Sequence, residues 1–199
     1  IVAGERARKL GISATQKMEI DAAGVFNNAF SASYPGADAK PLCSTTHPRN
    51  PNKSGNLVNA GTSALTKANV SLTRQAMMAT EDDAGNILGM MPNALMVPPE
   101  LEDTALEIVN SLQDPGSANN AINPQAGRFT VIPWHYLTDS NNWFMMDTVW
   151  MRESLKWYER TPLEITVQDQ TATEAVYEAY MRYSYGWDDW RWVYGHNVS

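Results

Sequence analysis

Cys43 and His47 stand four residues apart in the segment CSTTHP. A cysteine with a histidine at that spacing is the raw material of a thiolate nucleophile with its base, or of half a metal site. Neither chemistry is completed nearby. A nucleophile needs its base within hydrogen-bond reach and a third group to orient that base. No oxyanion-stabilising segment adjoins Cys43, and Pro48 implies a turn. A structural zinc site needs four ligands, whereas the chain offers one cysteine and three histidines, scattered at 47, 135 and 196. The carboxylates Glu100, Glu102, Asp103 and Glu107 are a second cluster, with Asp103 and Glu107 on one helical face. Acidic residues in a first helical turn are ordinarily a solvated complement to the helix dipole. No phosphate-binding glycine loop and no nucleophile elbow occurs. The expectation is therefore no catalytic, metal-binding or cofactor-binding residue.

The C-terminal aromatics are a third cluster: Tyr177, Tyr180, Tyr183, Tyr185, Trp187, Trp190, Trp192 and Tyr194. Such density suits a sugar-stacking or partner-binding surface. It equally suits half-buried strands and the anchors of a subunit interface.

The elements that must position these residues are organised around residues 91–112. Asn93 to Val97 reads as a short buried strand, ended by Pro98 and Pro99, neither of which can donate to a sheet ladder. Pro99 and the acids after it suit a helix start. Leu101, Ala105, Ile108, Val109 and Leu112 then form one apolar stripe. Upstream, residues 2–31 are helix-rich, with Met18, Ala22, Val25, Phe26 and Ala29 on one face. Gly11, followed by a capping pair at Ser13 and Gln16, leaves two readings: a split, or one long helix that tolerates its glycines. The long, kinked element is preferred. Residues 32–61, rich in Pro, Gly, Asn, Ser and Thr, predict a long irregular loop. Thr66 caps a helix over 67–80, with Leu65 and Val70 at staple spacing. Residues 81–85 predict a turn into Ile87 and Leu88, and 113–127 another loop. Strands are expected over 129–134, 143–147, 163–167, 179–185 and 190–194, with a turn at 139–142 and a short helix from Thr173.

Composition bounds the rest. At 199 residues, with 43% hydrophobic and 19% charged, the chain is globular, either one large domain or two lobes sharing a core. A formal charge of -7 argues against a nucleic-acid-binding face. A single cysteine excludes an internal disulfide framework and fits a reducing compartment. No apolar run reaches the length of a membrane span. The chain opens at Ile1 and is soon helical, which reads as a fragment or a processed product.

Several of these stretches resemble one family. A strand ending in Val-Pro-Pro, followed by Glu-Leu-Glu and an Ala-containing helix ending in Asn-Ser, is similar to the major head proteins of Mu-like tailed phages and prophages. AAGVFNNAF (22–30), KPLCSTTHP (40–48), the strands at 129–134 and 143–147, and RYSYGWDDWRWVY (182–194) resemble that family in the same order. Cys43 stands where an aromatic is common. The resemblance implies an α+β, HK-type capsid fold with a peripheral lobe (residues 1–61 and 150–199, on the long helix) and an axial lobe (62–149). The family's N-terminal arm and extended loop are then expected upstream of Ile1. It implies a structural subunit of the virion, made in the bacterial host cytoplasm. Its partners would be copies of itself in pentamers and hexamers, scaffold and head-maturation proteins, and enclosed DNA bound without sequence specificity. Trp187, Trp190, Trp192, Tyr194 and His47 are the candidate subunit-interface residues. The alternative is a carbohydrate- or partner-binding module using the C-terminal Trp/Tyr-rich strands.

Overall fold

In a computed structural model, which describes residues 2–113, 121–171 and 174–199, the N-terminal segment is one unbroken helix, α1 (Val2–Asn27). Gly11 does not split it, and the capping pair at Ser13 and Gln16 goes unused. Two of the helical glycines face the hairpin: a Cβ at Gly11 would lie 3.3 Å from the Ile165 side chain, and one at Gly24 3.8 Å from the Tyr185 hydroxyl. The irregular stretch after α1 ends at β1 (Ala60–Gly61). Helix α2 (Lys67–Met78) starts where expected, the Thr66 side chain accepting from Asn69 N at 3.2 Å while Leu65 and Val70 are buried together.

Strand β2 (Ala94–Val97) is buried throughout and leads through a 3-10 turn (Pro99–Leu101) into α3 (Glu102–Asn110). Ala105, Ile108 and Val109 face inward as the stripe requires. Leu112 falls beyond the helix end and stays exposed. Strands β3 (Thr130–Pro133) and β4 (Trp143–Met146) follow. The next element, α4 (Thr148–Ser154), was not anticipated. Its signal is Asp147, whose side chain caps the helix by accepting from Val149 N and Trp150 N. The chain then forms a long antiparallel hairpin, β5 (Leu155–Thr171) with β6 (Glu174–Trp187), and ends with β7 (Val193–His196). Two expectations are corrected here. The short helix from Thr173 gives way to β6, Thr173 itself lying outside the described residues. Trp190 sits in a turn before β7, because its carbonyl accepts from Val193 N.

The strands make a five-stranded sheet in the order β1-β7-β4-β2-β3 and a separate two-stranded sheet, β5-β6. Strand alternation splits the core into two layers. Ala94, Met96, Phe144, Met146 and Val193 meet Val25, Phe26, Ala29, Leu42, Cys43, Trp190 and Trp192 on one face. Leu95, Val97, Trp143 and Met145 meet α2 and α3 on the other. The result is a sheet covered on both faces, which is why β2 and β4 read as continuous apolar runs. The sheet draws strands from both groups of residues assigned above to separate lobes, since β1 pairs with β7 and β7 pairs with β4. Among the described residues, no helix is long and apolar enough to cross a membrane.

Gly195 marks the tightest approach in the first layer. A Cβ there would lie 2.7 Å from Cys43 Sγ, 2.8 Å from Phe30 Cζ and 2.9 Å from Phe144 Cδ1. Gly195→Ala therefore overpacks this layer and is expected to cost about 1–3 kcal/mol, read as a lower urea midpoint. An unchanged midpoint would mean that the Phe30 ring can move aside.

Candidate assembly surface and its buried supports

A buried amide ties the long segment between α1 and β1 to β7. Asn59 is buried, and its Nδ2 donates to the carbonyls of Leu42 (2.8 Å) and Val193 (3.1 Å), with a longer approach to Trp190 O (3.4 Å). These carbonyls fix the amide's orientation. Its Oδ1 then accepts from Ser44 N at 2.7 Å and faces His47 Nε2 at 3.0 Å. The other ring nitrogen of His47 lies 2.6 Å from Asp38 Oδ2. Both nitrogens therefore face acceptors, and the ring serves both only when each carries a proton. Burial pushes the His47 pKa down, while the bonds to Asp38 and Asn59 pull against that shift. The imidazole stacks on Trp190 at 3.8 Å, and the Arg191 guanidinium lies 4.8 Å from that indole. Arg191 also pairs with Asp83 and Asp189. Arg49 grips Glu81 through two nitrogens, fastening the loop to the turn after α2.

His196 is the opposite case. Ser63 N donates to its Nδ1 at 3.2 Å, so Nε2 carries the hydrogen and donates to Thr73 Oγ1 at 2.8 Å. One neutral tautomer satisfies both partners. The ring stacks on Trp143 at 4.2 Å, and burial lowers its pKa to about 4.

This geometry answers the chemistry posed by the sequence. His47 has no nitrogen left for Cys43, and burial pushes the Cys43 thiol well above its ordinary range. His47 and His196 occupy separate hydrogen-bond clusters and His135 is exposed. Among the described residues, no three of His, Cys, Asp and Glu gather as metal ligands. Glu100, Asp103 and Glu107 lie exposed along the outside of α3 and the turn before it.

The five candidate interface residues divide. Trp192 and His47 are fully enclosed and Trp190 is 6% exposed, all within the subunit's own core. The loop over residues 28–59, which carries His47, packs over Trp190 and Trp192. Tyr194 is half-buried, its hydroxyl reaching Ala60 O at 3.3 Å. Trp187 is also half-buried and, with Tyr34 and Tyr185, walls an open cleft of about 420 Å³. Asn59 and Asp38 escaped the sequence reading, since each looks there like any polar loop residue.

The hairpin also presents an open surface. Trp157, Tyr183 and Tyr185 stack on one another on its α1 side, where Tyr183 donates to Asp21 at 2.6 Å. Burial first, and then Asp21, raise the Tyr183 pKa to about 12. Alternation places Val176 and Tyr180 on the opposite face, and Tyr180 and Tyr158 remain 51% and 63% exposed. A two-stranded ribbon is marginal in water without something packed on it. Here α1 covers only one side.

Comparison with curated proteins finds no match. A family model described as phage capsid protein matches residues 1–195, nearly the whole chain. That extent, over an α+β fold in which the Cys–His pair cannot act as a dyad, assigns a structural role in the virion: the chain belongs to the phage capsid protein family.

Proposed function

We propose that the protein is a subunit of an icosahedral head shell of the Mu-like, HK-type class. Its copies tile into pentamers and hexamers that enclose the DNA genome. In this reading α1 and the β5–β6 hairpin form the peripheral flange and the five-stranded sheet with α2 and α3 forms the axial body. Scaffold and head-maturation proteins act during assembly in the host cytoplasm. The observation that carries the reading is the hairpin, a ribbon on the order of 50 Å long for its 17-residue strand, with one aromatic face unpartnered in the single subunit. Repeated modest contacts of this kind sum to a stable shell through closed symmetry. The net charge of -7 suits a wall that must not trap packaged DNA.

Negative-stain electron microscopy of the expressed protein tests this, with uniform shells or capsomer rings as the expected result. Tyr158→Ser with Tyr180→Ser should cut particle yield by tenfold or more while leaving the circular dichroism spectrum unchanged. Normal shells from that double variant would remove the hairpin from the interface. The cleft walled by Tyr34, Tyr185 and Trp187 favours a second reading, a neutral carbohydrate- or partner-binding module. Glycan binding by the folded monomer, lost on Trp187→Ala, would support it.

A further inference from the structure

A second open pocket, of about 530 Å³, lies between α2, the loop before β2 and the start of α4, lined by Arg74, Met78, Met91, Arg128, Asp147 and Trp150. Its one carboxylate is already engaged. Asp147 accepts from Val149 N and Trp150 N through Oδ1, and from Met91 N at 2.8 Å through Oδ2. Neither guanidinium makes a hydrogen bond or ion pair with the described residues. The apolar lining is unusually open: Met91 is 75% exposed, Met78 41% and Trp150 36%. Two free guanidinia beside exposed apolar side chains suit a carboxylate carried next to a hydrophobic residue, because a guanidinium binds carboxylate through a planar pair of N–H donors.

The chain itself carries that complement. Glu100, Asp103 and Glu107 recur at i, i+3 and i+7 along the outer edge of α3 and the turn that leads into it, all exposed and without an ion-pair partner among the described residues. Leu106, 37% exposed, lies beside them. No ion pair joins this edge to Arg74 or Arg128 within one subunit. We infer that the Arg74–Arg128 pocket of one subunit receives the acidic α3 edge of a second copy. The inference rests on the capsid reading and gives it a specific contact. Formed head to tail between these two different patches, the contact is heterologous, the type that closes into rings when the rotation allows. A DNA phosphate is the weaker occupant: it would be expected on a basic, solvated face, and this chain is net negative with an apolar pocket lining.

Charge exchange in the protein tests the contact, read by particle yield in electron microscopy and by sedimentation. R74E/R128E is expected to lose at least tenfold in particles with its thermal melt unchanged, as is E100R/D103R/E107R. The chain carrying all five substitutions should recover them. Normal shells from R74E/R128E, or no recovery in the combined chain, overturn the contact alone. Absence of shells and rings from the unsubstituted protein overturns the capsid reading and this contact with it. Should the exchanged chains fold poorly, R74K/R128K with a zero-length carbodiimide provides the second measurement. Bonds from Lys to Glu100, Asp103 or Glu107 between isotopically distinguished copies are expected, and bonds only elsewhere refute the contact. Retained shells with lost binding to a duplex oligonucleotide would assign the pocket to phosphate instead.

Discussion

Asn59→Leu is expected to abolish soluble, folded protein. The side chain is nearly isosteric, so the effect isolates polarity. Leucine would leave Ser44 N–H, His47 Nε2–H and the carbonyls of Leu42 and Val193 without their buried partner. Each buried unsatisfied group costs about 1–3 kcal/mol, so the four together cost at least about 4 kcal/mol. That is a large fraction of the ~5–15 kcal/mol by which domains are stable. The damage also spreads, because Asn59 O accepts from Gly195 N and thereby joins the loop to β7. Urea unfolding, or soluble yield where unfolding is complete, measures it. A midpoint close to that of the parent would show that water replaces the amide, and the loop would then be held by its apolar residues, Leu42 and Cys43.

Acid should destabilise the folded subunit across the window from about pH 6.5 to pH 4. His196 has an ordinary pKa of 6.5 when unfolded and about 4 when buried. Between these values the unfolded chain binds a proton that the native ring refuses, so stability rises with pH and is lost as pH falls. Above pH 6.5 neither state is protonated and the ring contributes no slope. Over the whole window the loss is about 3 kcal/mol, at 1.4 kcal/mol per unit. Other ionisable groups add slopes of their own to the curve, so His196→Gln provides the reference. Glutamine can accept from Ser63 N and donate to Thr73 but carries no charge. The difference between the two pH–stability curves should grow by about 3 kcal/mol as pH falls from 6.5 to 4. Parallel curves would show that the ring is protonated in the native state.

These effects depend on residues that the sequence presents in quite different degrees. Helix α1, the Thr66 cap and the β2–α3 unit were legible because each is encoded locally. A periodic apolar stripe, a hydroxyl three residues before an amide, and a double proline act within a few positions of themselves. The order of the family-like segments was legible for the same reason. The hairpin was legible only in pieces, at 163–167 and 179–185. Its strands are longer than that signal because partly exposed ribbons mix polar and apolar residues on both faces, and the pairing of Thr171 with Glu174 is invisible to periodicity.

Tertiary structure alone decided the roles of the aromatics and the polar loop residues. A tryptophan at 190 or 192 reads the same whether it meets its own core or a neighbour. Here the 28–59 loop closes over both, so both are core. Asn59 looks like any loop amide until the chain returns, 134 residues later, to place Val193 O against it. The protonation demands on His47 and His196 likewise come from partners outside their own local segments, Asp38 and Asn59 for one, Ser63 and Thr73 for the other. Local sequence determined which elements form. Which side chains are enclosed, and which stay open for another copy, was decided by long-range contacts, because burial depends on what packs on a surface and not on the residue alone.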